Sequence, residues 1–261
     1  MGFGQAKRSE SGAPPEMSAE ILVRRCERLE EFQTCVDLQR RIWGEADLEV
    51  EPVTMFVVAS KVGGQVLGAF DGTRMVGYLL AVPGVRNGKP YLHSHMTGVL
   101  EQYRDKGVGR KLKLYQREEA LARGISLVEW TFDPLELRNA YFNLNKLGAI
   151  ARQILPNLYG VTTSPLHHGM PTDRLLAEWH LNSPRVLAIL SGRVPEPADA
   201  PAQIHVPLGL EQQESDERNL PAIQERVRRQ FQDWFARGYA AIALVRSARE
   251  SRYLLAPWSE F

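Results

Sequence analysis

The stretch YLHSHMTGVLEQYRDKGVGRKL, Tyr91–Leu112, decides how this chain is read. Its first half alternates polar and apolar residues, the period of a half-buried strand. Alternation alone would put His93, His95, Thr97 and Val99 on one face. Its second half, Arg104-Asp105-Lys106-Gly107-Val108-Gly109, is a glycine-rich turn that opens a helix running from Gly107 to Arg123. Glycine lets a backbone turn tightly and brings its N–H groups close to a ligand. The first turn of a helix leaves N–H donors unpaired and carries partial positive charge, which suits a pyrophosphate. Arg104, Lys106, Arg110 and Lys111 add cations around it. The spacing matches neither a Walker A loop nor a dinucleotide fingerprint. Two readings stand: a buried strand with a capped exit, or a proton acceptor placed beside an anion cradle.

Working outward, "AEILVRRCERLEEFQTCVDLQRRIWG" gives a short strand and a helix ended at Gly44. "EPVTMFVVASKVGG" gives a second helix, started near Pro52 and stopped at Gly63-Gly64. "QVLGAFDGTRMVGYLLAV" is two strands joined at Asp71-Gly72, a hairpin signal. After the Gly107 helix come the strand "ISLVEWTFD", a short helix in "NAYFNLNKLGA" that stops at Gly148, and two strands in "AIARQIL" and "DRLLAEWHL". The early hairpin excludes a purely parallel doubly wound sheet and predicts an α/β chain with a mixed sheet, helices on its faces. Residues 1–17 read as a flexible tail, 18–183 as the main domain and 184–261 as a C-terminal α/β extension. Within that extension, "GRVPEPADAPAQIHVPLG" reads as a linker or an extended edge segment. An amphipathic helix follows, with Ile223, Val227, Phe231, Trp234 and Phe235 on one side, then a closing strand pair. That apolar side must cover either the chain's own core or the seam of a homodimer.

The chain has 261 residues, 44% hydrophobic and 24% charged, with a net charge of +1. Such a balance gives no electrostatic reason to expect nucleic acid or an anionic membrane as partner. No apolar run approaches the ~20 residues of a membrane span. Two cysteines, Cys26 and Cys35, lack metal-ligand spacing and read as buried thiols of a reducing compartment, so the expected location is cytoplasmic. His167-His168 sits in a loop without further ligands at definable spacing, so no metal is expected.

"VLEQYRDKGVGRKL" resembles the acyl-CoA-binding motif of the GNAT superfamily of N-acyltransferases, Arg/Gln-x-x-Gly-x-Gly/Ala after a strand. Arg104, Gly107, Gly109 and the apolar Val99 match it. The element order resembles that fold over about residues 20–182, and the motifs over about 91–149. The resemblance implies a GNAT-like fold with a mixed, mostly antiparallel sheet. It implies that the strand end at Val99 and Leu100 meets the pantetheine arm of acetyl-CoA or another acyl-CoA. Arg104, Asp105, Lys106, Gly107, Val108, Gly109 and Arg110 would then hold the pyrophosphate. His93 and His95 stand eleven and nine residues before Arg104. This is similar to the His-x-His of arylalkylamine N-acetyltransferases, which helps remove the proton of the amine. Histidine's ordinary pKa of ~6.5 suits that task.

Glu129, on the next strand, is the competing base. "NAYFNLNKLGA" is similar to the family's helix ending in Tyr-x-x-x-Gly-Phe, but Leu144 stands where the family often has the tyrosine that protonates the departing thiolate. Tyr141, one turn earlier, or water would replace it, and Asn139 and Asn143 are candidates for holding the pantetheine. The activity implied is acyl transfer to a small-molecule amine or amino acid. A catalytically silent acyl-CoA sensor and a protein or peptide N-acetyltransferase remain the alternatives.

Overall fold

The computed structural model describes residues 20–44, 50–161, 169–193, 200–207, 219–247 and 250–258. The tail at 1–17 and the His167-His168 pair lie outside them. In chain order the elements are β1 (Ile21–Arg25), α1 (Leu29–Trp43), α2 (Val53–Lys61), β2 (Gln65–Asp71), β3 (Arg74–Arg86), β4 (Lys89–Val99) and α3 (Val108–Ala122). Then follow β5 (Leu127–Phe132), α4 (Leu137–Tyr141), β6 (Ile150–Leu155), β7 (Arg174–His180), α5 (Pro184–Leu190), β8 (Ala202–Pro207), α6 (Leu220–Ala236), β9 (Tyr239–Arg246) and β10 (Glu250–Pro257). The order through β7 is the one expected from the sequence. The expectation missed α5, although Ser183 caps it by accepting from the Val186 N–H and Pro184 starts it.

Among the described residues, ten strands form one sheet in the order β1-β2-β3-β4-β5-β7-β6-β9-β10-β8. Only β4 and β5 run parallel; every other neighbouring pair is antiparallel. Helices cover both faces. A side chain placed at Gly98 would meet Ile42 and Trp43 of α1, whereas one at Gly77 would approach Leu112 of α3. The α1 face and the α3 face are therefore distinct, and they organise the site.

The segment read as a C-terminal extension continues this same sheet. β9 joins β6 at Ala151↔Ala241, and the stretch read as linker or edge contains β8, which closes the far edge. The apolar side of α6 lies on its own chain: Phe231 is fully buried, with its ring 5.0 Å from that of Tyr253 on β10. Tyr253 in turn donates its hydroxyl to the Pro134 carbonyl at 2.6 Å. Among the described residues, no helix is long and apolar enough to cross a membrane.

Truncating a fully buried phenylalanine removes transfer energy and leaves a cavity, about 3–5 kcal/mol. Phe231→Ala should therefore destabilise the whole chain by about that amount in denaturant unfolding, within a single transition. Loss of less than ~1 kcal/mol, or an early transition confined to the C-terminal strands, would contradict this packing.

Candidate active site

The site begins with a gap in the sheet. β4 and β5 pair only at Leu92↔Val128 and His93↔Glu129, while β4 remains paired to β3 as far as Gly77↔Val99. Among the described residues, the β5-facing edge of β4 therefore has no strand beside it from Ser94 to Val99. The Leu100 N–H reaches back to the Val76 carbonyl at 2.9 Å. Backbone directions alternate along a strand, so the N–H and C=O of Val99 turn toward the gap. The Val99 carbonyl accepts from Arg104 Nε at 3.3 Å, and Arg104 Nη2 also reaches the Ile42 carbonyl at 3.4 Å. The Leu100 side chain is buried, so only its backbone is available to a ligand.

At the end of β4 the chain turns through a short 3-10 segment, Glu101–Tyr103, into the Arg104–Gly109 loop. Asp105 (φ 59°) and Gly107 (φ 79°) are both left-handed, a conformation that turns successive N–H groups to one side. Gly107 is the N-cap of α3 and supplies no side-chain cap. Among the described residues, the N–H groups of Val108, Gly109 and Arg110 find no acceptor. The space before them is open: a Cβ at Gly107 meets nothing within 4 Å, and one at Gly109 meets only Val99 Cγ2 at 3.9 Å. Arg104 and Lys106 are exposed beside the loop, and Val108 anchors it in the core. An oxygen-rich anion fits this donor set.

The histidines depart from simple alternation. β3 pairs Leu80 with Met96 and then Ala81 with Ser94, so His95 is the extra residue of a β-bulge. His93, His95 and Met96 consequently lie on the α1 face. His95 meets Glu51, which precedes α2, and Met96 Sδ takes the Tyr78 hydroxyl. Ser94 and Val99 lie on the α3 face, Ser94 bonding to Lys113 and Val99 lying against Gly77 on the side of Leu112. The expected common face of His93, His95, Thr97 and Val99 is thus corrected: the bulge flips the alternation between His93 and Val99. Bulges re-aim side chains in this way, commonly beside active sites.

The two imidazole rings stand 6.5 Å apart, centroid to centroid. His93 is half-buried and, among the described residues, its ring takes part in no hydrogen bond. Burial first, then the charges of His95 and Lys113, hold its pKa below the usual histidine value. His95 is exposed, with Nε2 2.9 Å from Glu51 Oε1, and this bond lowers the pKa of Glu51. Glu129, opposite His93 in register, is almost fully buried. Both its oxygens are engaged by Arg86 at the end of β3, one of them at 2.7 Å. Burial raises the Glu129 pKa; Arg86 opposes that, and neighbouring Glu178 adds to it.

Across the gap, Arg138 of α4 makes a two-pronged ion pair with Asp105, at 2.9 and 2.8 Å, tying α4 to the cradle. Tyr141 is one turn further along α4, half-buried, with the Lys146 ammonium 5.4 Å from its ring. The helix then widens into a π-turn, Phe142–Lys146, a feature often found at functional sites. Leu144 is fully buried there. Asn143 is also buried and donates to exposed Asn139 at 3.3 Å, whereas Asn145 accepts from the Leu244 N–H of β9 at 2.9 Å and serves the fold. Glu51, Arg86 and Arg138 escaped the sequence reading, because each becomes a neighbour of the site only through long-range pairing. Among the described residues, no group of three or more His, Cys, Asp or Glu side chains is arranged to hold a metal.

Residues 29–143 match the model of the acetyltransferase (GNAT) family. No curated protein matches the chain by sequence. A GNAT-family structure from Desulfovibrio desulfuricans superposes with a TM-score of 0.51 at 14% identity, covering 62% of this chain and 99% of that one. A structure from Salmonella typhimurium, solved with its cofactor acetyl-CoA, superposes at 0.51 and 16%, covering 63% and 96%. The ribosomal-protein-S18-alanine N-acetyltransferase of Escherichia coli gives 0.50 and 15%, covering 63% and 96%. Residues 29–143 thus match the acetyltransferase (GNAT) family model, and the chain shares its fold with these acetyltransferase structures.

Proposed function

We propose that this chain transfers an acyl group, acetyl by default, from a coenzyme A thioester to the amine of a small molecule or amino acid. The observation that carries the reading is the coincidence of three features: the parted β4–β5 edge, the open N–H donors at Val108–Arg110, and a His93 ring with no hydrogen-bond partner among the described residues. The pyrophosphate would sit on the Val108, Gly109 and Arg110 amides with Arg104 and Lys106 beside it. The pantetheine amides would pair with the free edge at Val99, as a strand would. Asn139 of α4 and Asn143 of the π-turn, bonded to each other, are candidates for further contacts.

The amine nitrogen attacks the thioester carbonyl. A C–N bond forms, the carbonyl carbon becomes tetrahedral, and its oxygen is stabilised by a backbone donor near Val99. His93 takes the proton released by nitrogen, directly or through water. The C–S bond then breaks, and the thiolate is protonated by Tyr141 or by water. Of the two candidate bases, His93 suits the role better, because among the described residues its nitrogens have no hydrogen-bond partner and burial holds its pKa below the usual histidine value. Glu129 is held on both oxygens by Arg86. Buried Leu144 in place of the family's tyrosine favours the sensor alternative, and an acyl-CoA that binds tightly without ever releasing thiol would establish it.

Acetyl-CoA at ~100 times its Kd should raise native stability by about 2.7 kcal/mol, read as an upward shift in melting temperature. Arg104→Glu should abolish most of that shift. An undiminished shift in the variant would remove Arg104 from the cradle.

His93→Ala should lower kcat about 100-fold while leaving the acetyl-CoA shift intact. In the parent enzyme, kcat/KM should fall as acid protonates His93, with a midpoint below the ordinary ~6.5 because its pKa is depressed. Full turnover in His93→Ala would move the base elsewhere.

A further inference from the structure

Directly beneath the two histidines, on the α3 face, lies a lysine that the reaction scheme does not use. Lys113 is fully buried in α3. Its Nζ is 3.0 Å from Ser94 Oγ, 2.7 Å from Gln116 Oε1 and 3.8 Å from the centroid of the Trp130 ring, with the Trp179 ring at 5.6 Å. An ammonium has three hydrogens, and here three acceptors surround it: a hydroxyl, an amide oxygen and an indole face.

The direction of the hydrogen bonds is fixed from the other end. Glu119 carries a carboxylate held by Arg25, and an ionised carboxylate can only accept. Gln65 therefore turns its Nε2 toward Glu119, at 3.3 Å, and toward the Gln116 carbonyl, at 3.1 Å. That leaves Gln65 Oε1 to accept from Gln116 Nε2, at 3.0 Å, and Gln116 Oε1 to face Lys113. The chain Arg25–Glu119–Gln65–Gln116 thus ends on an oxygen that requires a donor from Lys113. Burial favours the neutral amine and pulls the lysine pKa well down. The three acceptors oppose that pull.

We propose that Lys113 is a positioning residue of the acyl-transfer site, a caged ammonium that pins the β4 bulge through Ser94 and sets the electrostatic environment of His93 from across the sheet. The inference rests on the reading of His93 as the base. Ser94 is the residue between the two histidines and the last one before the bulge, so its anchor fixes where the alternation flips. The Lys113 charge also disfavours a proton on His93. The other groups around His93 are His95, which is bound to Glu51, and Glu129, both of whose oxygens are on Arg86. None of these is positioned to replace Lys113 beneath the strand.

The test starts with the unaltered protein. A 13C-lysine NMR titration should show the Lys113 Cε resonance in its ammonium position across pH 6–8. A neutral amine in that range overturns the proposal without any variant being made. Lys113→Met should then move the His93 titration midpoint, read from its ring-proton resonance, upward by about half a pH unit or more, carrying the acid limb of kcat/KM with it. The acetyl-CoA melting shift should persist. Ser94→Ala keeps the charge and removes the anchor, so it should lower kcat several-fold with the midpoint unmoved. A folded Lys113→Met protein with the parent midpoint overturns the electrostatic role, and parent kcat in Ser94→Ala overturns the anchor. A moved midpoint in an enzyme whose rate ignores His93→Ala would instead sink the assignment of the base and leave Lys113 as proposed.

Discussion

Everything at this site depends on two parallel strands that separate after two residue pairs. A sheet hides its backbone polar groups by pairing them, and an unpaired buried edge is costly. Here β4 keeps β3 on one side as far as Val99 and loses β5 on the other after His93. The resulting edge is tolerable only if water or a ligand supplies the missing bonds. An extended chain bearing amides, such as a pantetheine arm, has the hydrogen-bonding pattern of the strand that is absent. The same separation leaves room for α4 to approach the cradle, where Arg138 grips Asp105.

The bulge at His95 gives the edge its chemistry. Under uninterrupted alternation, His93 and Val99 would project from the same face. With it, the histidines lie on the α1 face, and Ser94 and Val99 lie on the α3 face. A ligand following the edge from the α3 side therefore meets an imidazole on the opposite side of the sheet. In the acyl transfer proposed above, the coenzyme would carry the carbonyl along the edge and the amine would approach it from another direction. A one-residue register change would exchange the two sets of side chains, which is why the strand needs a firm anchor at this point.

Element order and the cradle were legible because they rest on local signals. Gly44, Gly63, Gly107 and Gly148 all have positive φ, and each ends or begins an element where the sequence pattern placed a boundary. The bulge was not legible, because nothing in His-Ser-His marks which residue β3 will skip. The inner face of α3 was not legible for a related reason. Val108 and Leu112 are buried there, but Ala122 is exposed, and Lys113 and Gln116 are buried. A lysine in a helix rich in charge reads as solvated unless its partners are known, and Ser94, Trp130 and Gln65 come from three different strands.

The C-terminal strands bear on the site through the element they hold. β6 would otherwise be an exposed edge, and β9 pairs against it. The sheet then ends on two short strands, β1 with five residues and β8 with six, β8 alternating buried and exposed positions. Short edges with outward polar residues resist pairing with other chains. Closer in, the Leu244 N–H binds Asn145, and Arg185 bonds to the carbonyls of Leu144 and Ile242, so strand β9 and helix α5 grip the π-turn from behind. That turn follows directly from the helix carrying Arg138 and Tyr141. A π-turn has weaker internal support than an α-helix, and its shape here is imposed by neighbours that belong to the end of the chain. The last strands thereby fix one wall of a cleft whose other wall, the β4 edge, is set more than a hundred residues earlier.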